Sequence, residues 1–444
     1  MDPSFGLAGG QRARGCRQPL SLFLLLAVLA AVGGTHGGVA GAPRRPPACT
    51  RTLCAGVAAI PHPRLQPWST GPPTTVDVPL HLTWPARRAG RVPLVILLHG
   101  ALVRSRDYAG LVSTLGRRAV VAAPEYAARN FTLPPGAPPA DPLFDTFLAT
   151  VATKGKRPEC PSQGVFPTAR LVQSVMDAFA ETAPPTAGAP RPHPVLAAAA
   201  AAADVDQLVL YGHSAGAASA LALASGLCAS ADLPPPTARL LCEGAGGPPA
   251  GLAGVAWYSG AVFSPGGAAQ LPPGVWGLGL DGDTPAAVEM LAAVTAGLAP
   301  TPGGKGRGVL LTAGLDGAGH YGVAGPRWAR RRGSPADQGG RPPPGGPPLC
   351  AAPNAGDANF TTTPRQAAAV VRRVAAVTAA AIDAYLPFPL ASADRGTAAT
   401  AATLRRRRGC AVLAALARGA LPGFERVTFK GTPRAAACPG VAGN

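Results

Sequence analysis

Two kinds of hydrophobic run alternate between residues 76 and 386. Short unbroken apolar stretches recur, separated by stretches with helical spacing. Val92 to Leu98 contains no charged or hydrogen-bonding side chain, the pattern of a strand buried on both faces of a parallel sheet. Tyr108 to Arg118 has helical spacing and Ala119 to Ala123 is a second buried strand, so the three predict a βαβ unit. Val76 to Trp84 alternates apolar and polar residues and reads as an outer strand. Further strands are expected at Gln207–Tyr211, Gly254–Tyr258, Val275–Leu280 and Gly308–Thr312. Helices are expected at Ala169–Ala183, Ala217–Ser230, Arg365–Leu386 and Pro285–Leu298, the last with Pro in its first turn. This order predicts an α/β chain with a doubly wound, mostly parallel sheet and helices on both faces.

Composition changes the picture between these elements. The 444 residues include 57 Gly and 52 Pro, and aromatic residues make up only 5%. Residues 43–73 read as an irregular Pro- and Arg-rich segment. Residues 131–165, 184–203 and 324–363 read as low-complexity insertions. The expected organisation is a signal and cleavage region over 1–42, the Pro-rich segment over 43–73, one α/β domain over 74–390 and a C-terminal extension over 391–444.

Arg12, Arg14 and Arg17 precede an apolar run from Leu20 to Val32, and small residues follow through Ala42. That is the layout of a secretory signal peptide, and the run is shorter than the ~20 apolar residues a membrane span needs. A retained anchor or an organelle transit peptide is the alternative. Export is the expected localisation, and the cysteines agree with it. Cys16 falls in the signal, and the other eight are an even number with about 105 possible pairings. At least two disulfides are expected, with Cys228–Cys242 and Cys410–Cys438 the pairs closest in sequence. Two sequons, at Asn130 and Asn359, point the same way.

The net charge of +18 has two readings: attraction to an acidic cell wall or membrane surface, or arginine-rich solvated loops. The clusters Arg327–Arg332 and Arg405–Arg408 lie in or beside Gly/Pro-rich stretches. Apart from Trp328 in the first, neither alternates basic and aromatic residues as a nucleic-acid groove would, so no nucleic-acid partner is expected. No Cys or His spacing fits zinc, and no metal or cofactor is expected.

Candidate chemistry centres on Gly212-His213-Ser214-Ala215-Gly216, which has the G-x-S-x-G form of a nucleophile elbow. A strand runs into it and an Ala-rich helix runs out. A serine hydroxyl needs a base to take its proton. In this architecture the chain order is Ser, acid, His, and His320 is the one histidine after Ser214. The carboxylates between them are Asp232, Glu243, Asp281, Asp283, Glu289 and Asp316. The acid is expected at Asp283, at the end of the strand Val275–Leu280, with Asp281 as the alternative. Backbone N–H groups of Ala101 and Ala215 are the expected oxyanion donors. His99 is read as structural.

The stretch Leu97-Leu98-His99-Gly100, with Asp107-Tyr108 and Ala122-Ala123-Pro124-Glu125-Tyr126, resembles the start of chlorophyllase-type hydrolases, as does Asp204-Val205-Asp206-Gln207-Leu208. Gly279-Leu280-Asp281-Gly282-Asp283-Thr284 and Leu315-Asp316-Gly317-Ala318-Gly319-His320 are similar to the acid and histidine loops of cutinase-like polyester hydrolases. The resemblance covers roughly residues 75 to 390 and implies the α/β-hydrolase fold. It also implies that the acid is the residue before Thr, hence Asp283. Ala215 departs from both families, which carry Arg or Met after the nucleophile. Ala101 lacks the aromatic of the polyester hydrolases, and Gly254–Gly260 lacks a chlorophyllase-type acid. The expected activity is cleavage of a small-molecule or lipid-like carboxylic ester. Chlorophyll-type, phospholipid, thioester or amide cleavage are alternatives, as is a non-catalytic binding protein.

Overall fold

A computed structural model of the chain describes residues 46–64, 74–88, 90–100, 103–125, 167–182, 193–230, 241–260, 271–282, 309–333, 363–386, 395–431 and 438. The strands are β1 (Ala48–Cys49), β2 (Leu53–Arg64), β3 (Thr74–Pro85), β4 (Val92–Leu98), β5 (Val120–Pro124), β6 (Ala203–His213), β7 (Leu252–Tyr258), β8 (Trp276–Asp281), β9 (Val309–Leu315) and β10 (Phe424–Gly431). They form one ten-stranded sheet in the order β1-β2-β3-β5-β4-β6-β7-β8-β9-β10. From β5 to β9 all neighbours are parallel, while β1, β2, β3 and β10 pair antiparallel.

Every residue of β4 is buried. Its Leu94, Ile96 and Leu98 face one core layer, and Val95 and Leu97 face the other. The first layer is closed by α2 (Arg170–Ala180), α3 (Pro194–Ala202) and α4 (Ala215–Ala224). The second is closed by α1 (Ala109–Leu115), α5 (Gly325–Gly333), α6 (Pro364–Tyr385) and α7 (Arg395–Ala417). All ten residues of α4 are buried, which its Ala, Gly, Ser and Leu composition permits against a flat sheet. Helix α6 begins with Thr363 and Gln366 in a reciprocal cap, with Pro364 at the first position.

The chain passes from β3 to β4, returns to β5 between them, and then crosses to β6 on the far side of β4. The connections leave β4 and β6 in opposite directions, which opens a crevice at the carboxyl ends of the parallel strands. This is the α/β-hydrolase fold: the periodicity predicted its doubly wound, mostly parallel sheet, and the resemblance implied the fold itself.

Several local expectations need correction. Residues 53–64 are not irregular but form a twelve-residue strand, so β3 is not outermost. From Ala58 to Pro63 the chain alternates buried and more exposed positions. Pro61 and Pro63 are tolerated because most of β2 pairs on one side only, with β3. Residues 194–202 are helix α3, not a linker. Alanine is the strongest helix former, Pro194 sits at the first position, and Val195, Leu196, Ala199 and Ala202 supply a buried face. Residues 325–333, within the expected insertion, form α5. The two arginine clusters lie on helices α5 and α7 rather than in loops, and Arg405 to Arg408 are exposed. Residues 395–431 contribute α7 and β10, so the sheet continues beyond residue 390.

Three disulfides join described residues: Cys49–Cys54, Cys228–Cys242 and Cys410–Cys438. The latter two are the pairs expected from sequence proximity. Cys160, Cys350, both sequons, the leader and the helix expected at 285–298 lie outside the described residues. Among the described residues no helix is long and apolar enough to cross a membrane.

Candidate active site

Ser214 stands between the end of β6 and the start of α4 with φ 52° and ψ −117°, a conformation that costs a non-glycine residue roughly 1–3 kcal/mol. Its neighbours hold it there. Ser214 N–H donates to the Tyr258 carbonyl at 3.0 Å, and the Ser214 carbonyl accepts from Ala217 and Ala218. Small residues are obligatory around the turn. A Cβ on Gly212 would press into the Ala217 backbone, one on Gly216 into the Leu98 carbonyl, and one on Gly260 would come within 2.6 Å of the Ser214 carbonyl.

His320 follows β9 on a loop turned by Gly317, whose φ is +64°. Its Nε2 lies 2.8 Å from Ser214 Oγ. Both side chains are half-buried. Two buried groups fix the loop's backbone: Tyr258 Oη donates to the Gly319 carbonyl at 2.9 Å, and His213 Nε2 bonds the His320 carbonyl at 2.9 Å. Tyr321 lies against the His320 ring with centroids 4.8 Å apart and stacks on Trp328 at 4.4 Å. Tyr108, Tyr258 and His213 were not recognised as site residues from sequence. For His213 and Tyr258 the signal was position, polar groups at the ends of buried strands, whereas Tyr108 lies just before α1 and carried no such signal.

Asp281 ends β8 and is buried, and its Oδ1 accepts the Ser259 hydroxyl at 3.0 Å. Asp283 and Ala101 lie outside the described residues. Ala215 is the first residue of α4, where backbone N–H groups have no intrahelical partner and the helix dipole is positive. His99 is buried, and its Nδ1–H donates to the Gly100 carbonyl. Glu125, at the same end of the sheet, pairs with His81 at 3.2 Å. Burial alone would raise its carboxyl, but the His81 hydrogen bond and charge prevail and hold it below its ordinary value.

His213 is fully buried. Desolvation first, then repulsion from His320, push it well below an ordinary imidazole, against a smaller upward pull from the His320 carbonyl. Burial likewise pushes the Tyr108 phenol up, so it stays protonated.

A Ser–His–carboxylate set lies apart from Ser214, in a different setting. His62 Nδ1 lies 3.0 Å from Ser174 Oγ and its Nε2 lies 3.3 Å from Glu243 Oε2, which also accepts from Thr168 at 2.6 Å. All four side chains are buried. Ser174 sits inside α2 with helical backbone, and no turn presents it to a substrate. A cavity of about 640 Å³, lined by Arg51, Thr52, Pro85, Arg87 and Arg117, lies at the amino ends of the parallel strands, away from Ser214.

No family model matches the chain, and no curated protein matches it. Among solved structures, a ferulic acid esterase from Streptomyces cinnamoneus aligns at 17% identity over 74% of this chain and 90% of that one, with a TM-score of 0.37. A candidate dienelactone hydrolase from Klebsiella pneumoniae subsp. pneumoniae aligns at 15% identity over 61% and 89%, with a TM-score of 0.32. Both superpose weakly, and the fold assignment rests on the strand order.

Proposed function

We propose that this protein is a secreted serine hydrolase that cleaves carboxylic esters through an acyl-enzyme. The observation that carries the reading is the 2.8 Å contact between His320 Nε2 and Ser214 Oγ at a strained strand-to-helix turn. Ser214 Oγ attacks the ester carbonyl carbon while its proton passes to His320 Nε2. The carbonyl oxygen becomes an oxyanion held by the Ala101 and Ala215 N–H groups. The intermediate collapses, the bond to the leaving alcohol breaks, and His320 returns the proton to that alcohol. Water then attacks the acyl carbon with His320 again as base, releasing the acid and Ser214.

Asp283 is the proposed acid, orienting the imidazole and stabilising its cation. Two points favour it over Asp281: its place before Thr284 in the polyester-hydrolase-like loop, and the engagement of Asp281 by Ser259. The substrate class is a small-molecule or lipid-like ester. The resemblance to chlorophyllase-type and cutinase-like enzymes supports this breadth and no narrower choice. Export is supported by the leader pattern and by the three disulfides. The net charge of +18 supports retention at an anionic surface, and the Arg51, Arg87 and Arg117 cavity, remote from Ser214, would leave the site free.

The test is a panel of p-nitrophenyl esters of rising chain length, run beside labelling with a fluorophosphonate. Turnover with labelling on Ser214 is expected. A folded, mature protein that neither labels nor turns over any ester is a binding protein on a hydrolase fold, and the proposal fails.

A further inference from the structure

An unbroken run of hydrogen bonds passes through His213 and joins two loops that the proposed reaction needs in register. Gly100 N–H donates to Tyr108 Oη at 2.8 Å, Tyr108 Oη lies 2.6 Å from His213 Nδ1, and His213 Nε2 lies 2.9 Å from the His320 carbonyl oxygen. A carbonyl only accepts, so the ring proton is on Nε2. Burial keeps the ring neutral, so Nδ1 is an acceptor and the Tyr108 hydroxyl donates to it. Each donor direction follows from the far end of the chain of bonds.

We propose that His213 and Tyr108 are positioning residues that fix the base His320 and the loop leading to Ala101 relative to Ser214. The proposal rests on the esterase reading above. One end of the relay is the backbone of His320 itself. The other is the N–H of Gly100, one residue before the expected oxyanion donor. A tight fit holds the middle: any Cβ on residue 100 would come within 2.5 Å of His213 Nδ1. A planar ring with one donor and one acceptor spans the gap, which an aliphatic side chain cannot do.

Neutrality matters for a second reason. The rings of His213 and His320 are 5.3 Å apart, and His320 gains positive charge as Ser214 attacks. A charged ring at 213 would oppose that step. Among the described residues, the titratable groups in ring contact or electrostatic interaction with it are His99, Tyr108, His320, Tyr258 and Tyr321, none of them a carboxylate.

Tyr108→Phe removes the hydroxyl and keeps the ring. It should lower kcat for a p-nitrophenyl ester about 10²-fold with KM nearly unchanged, because misplaced groups slow the chemistry rather than ground-state binding. Affinity for a trifluoromethyl ketone, whose hemiketal needs both loops, should fall by the same factor. His213→Gln, which keeps a donor and an acceptor on one planar group, should retain far more activity than His213→Leu. Adding Tyr108→Phe to His213→Leu should cost little more. Fluorophosphonate labelling of the wild type comes first, since its absence counts against the esterase reading instead. If the wild type labels and a folded Tyr108→Phe keeps wild-type kcat, the relay is overturned and the esterase reading stands. Should the variants fail to fold, ¹⁵N NMR of the histidines in the wild type decides. The neutral His213 ring must carry its proton on Nε2, and a neutral ring protonated on Nδ1 overturns the proposal.

Discussion

Ser259 Oγ donates to Asp281 Oδ1 at 3.0 Å and accepts the Gly282 N–H at 3.2 Å, so the end of β7 holds the end of β8. Ser259 is buried with φ 45°, a strained residue whose hydroxyl ties down the turn that leads to Asp283. Under the proposed mechanism the two aspartates do different work. Asp281→Ala should cost about 1–3 kcal/mol of stability, because it strands a buried hydroxyl, with a modest effect on kcat. Asp283→Ala should lower kcat by about 10⁴, while Ser214→Ala and His320→Ala should each cost about 10⁶ and their double little more. Kinetics on variants with native circular dichroism check this. A crippled Asp281→Ala beside an active Asp283→Ala would exchange the two roles.

The buried His62, Ser174, Thr168 and Glu243 cluster is expected to serve stability alone. Ser174→Ala should leave esterase turnover and fluorophosphonate labelling intact. Glu243→Ala leaves His62 and Thr168 without the shared acceptor and should cost about 3 kcal/mol or more. Urea unfolding measures the second. Loss of labelling in a folded Ser174→Ala would move the nucleophile from β6 to α2.

The elbow glycines should be intolerant in a graded way. Gly216→Ala drives a methyl group against the Leu98 and His99 carbonyls. Its cost should reach or exceed the usual overpacking range of about 1–3 kcal/mol, since backbone cannot rotate aside. Gly246→Ala meets nothing within 4 Å and should melt like the wild type. Equal melting temperatures for both variants would contradict the packing described at the elbow.

Stability should fall on mild acidification partly through His213. Its folded pKa is depressed well below the ordinary 6.5, so the unfolded chain takes up a proton that the folded one refuses. The contribution is complete above the unfolded value and erodes as pH falls through it, at up to about 1.4 kcal/mol per pH unit. Comparing urea midpoints between about pH 7 and 5 measures this. The slope should be shallower in His213→Gln, and an unchanged slope would mean that His213 already titrates normally in the fold.

The sequence by itself determined the elements whose signal is local. Val92–Leu98 is apolar throughout and became the fully buried β4. Gly212–Gly216 carried its own steric logic and became the turn between β6 and α4. These two readings succeed because burial and turn sterics act on neighbouring residues. Chain order pointed to His320 as the candidate base, and only the fold brings its Nε2 to 2.8 Å from Ser214 Oγ. Strand β2 escaped because Ala, Gly and Pro carry little hydrophobic contrast, and its alternation matters only once β3 lies beside it. Helix α3 escaped because an alanine run has no face until β2 and β3 supply one. The polar contacts were beyond sequence altogether: Tyr108 meets His213 across 105 residues, and His62 meets Glu243 across 181. Such pairs leave no periodic trace, because each partner is polar for a reason that exists only when the sheet has brought the other within hydrogen-bonding distance.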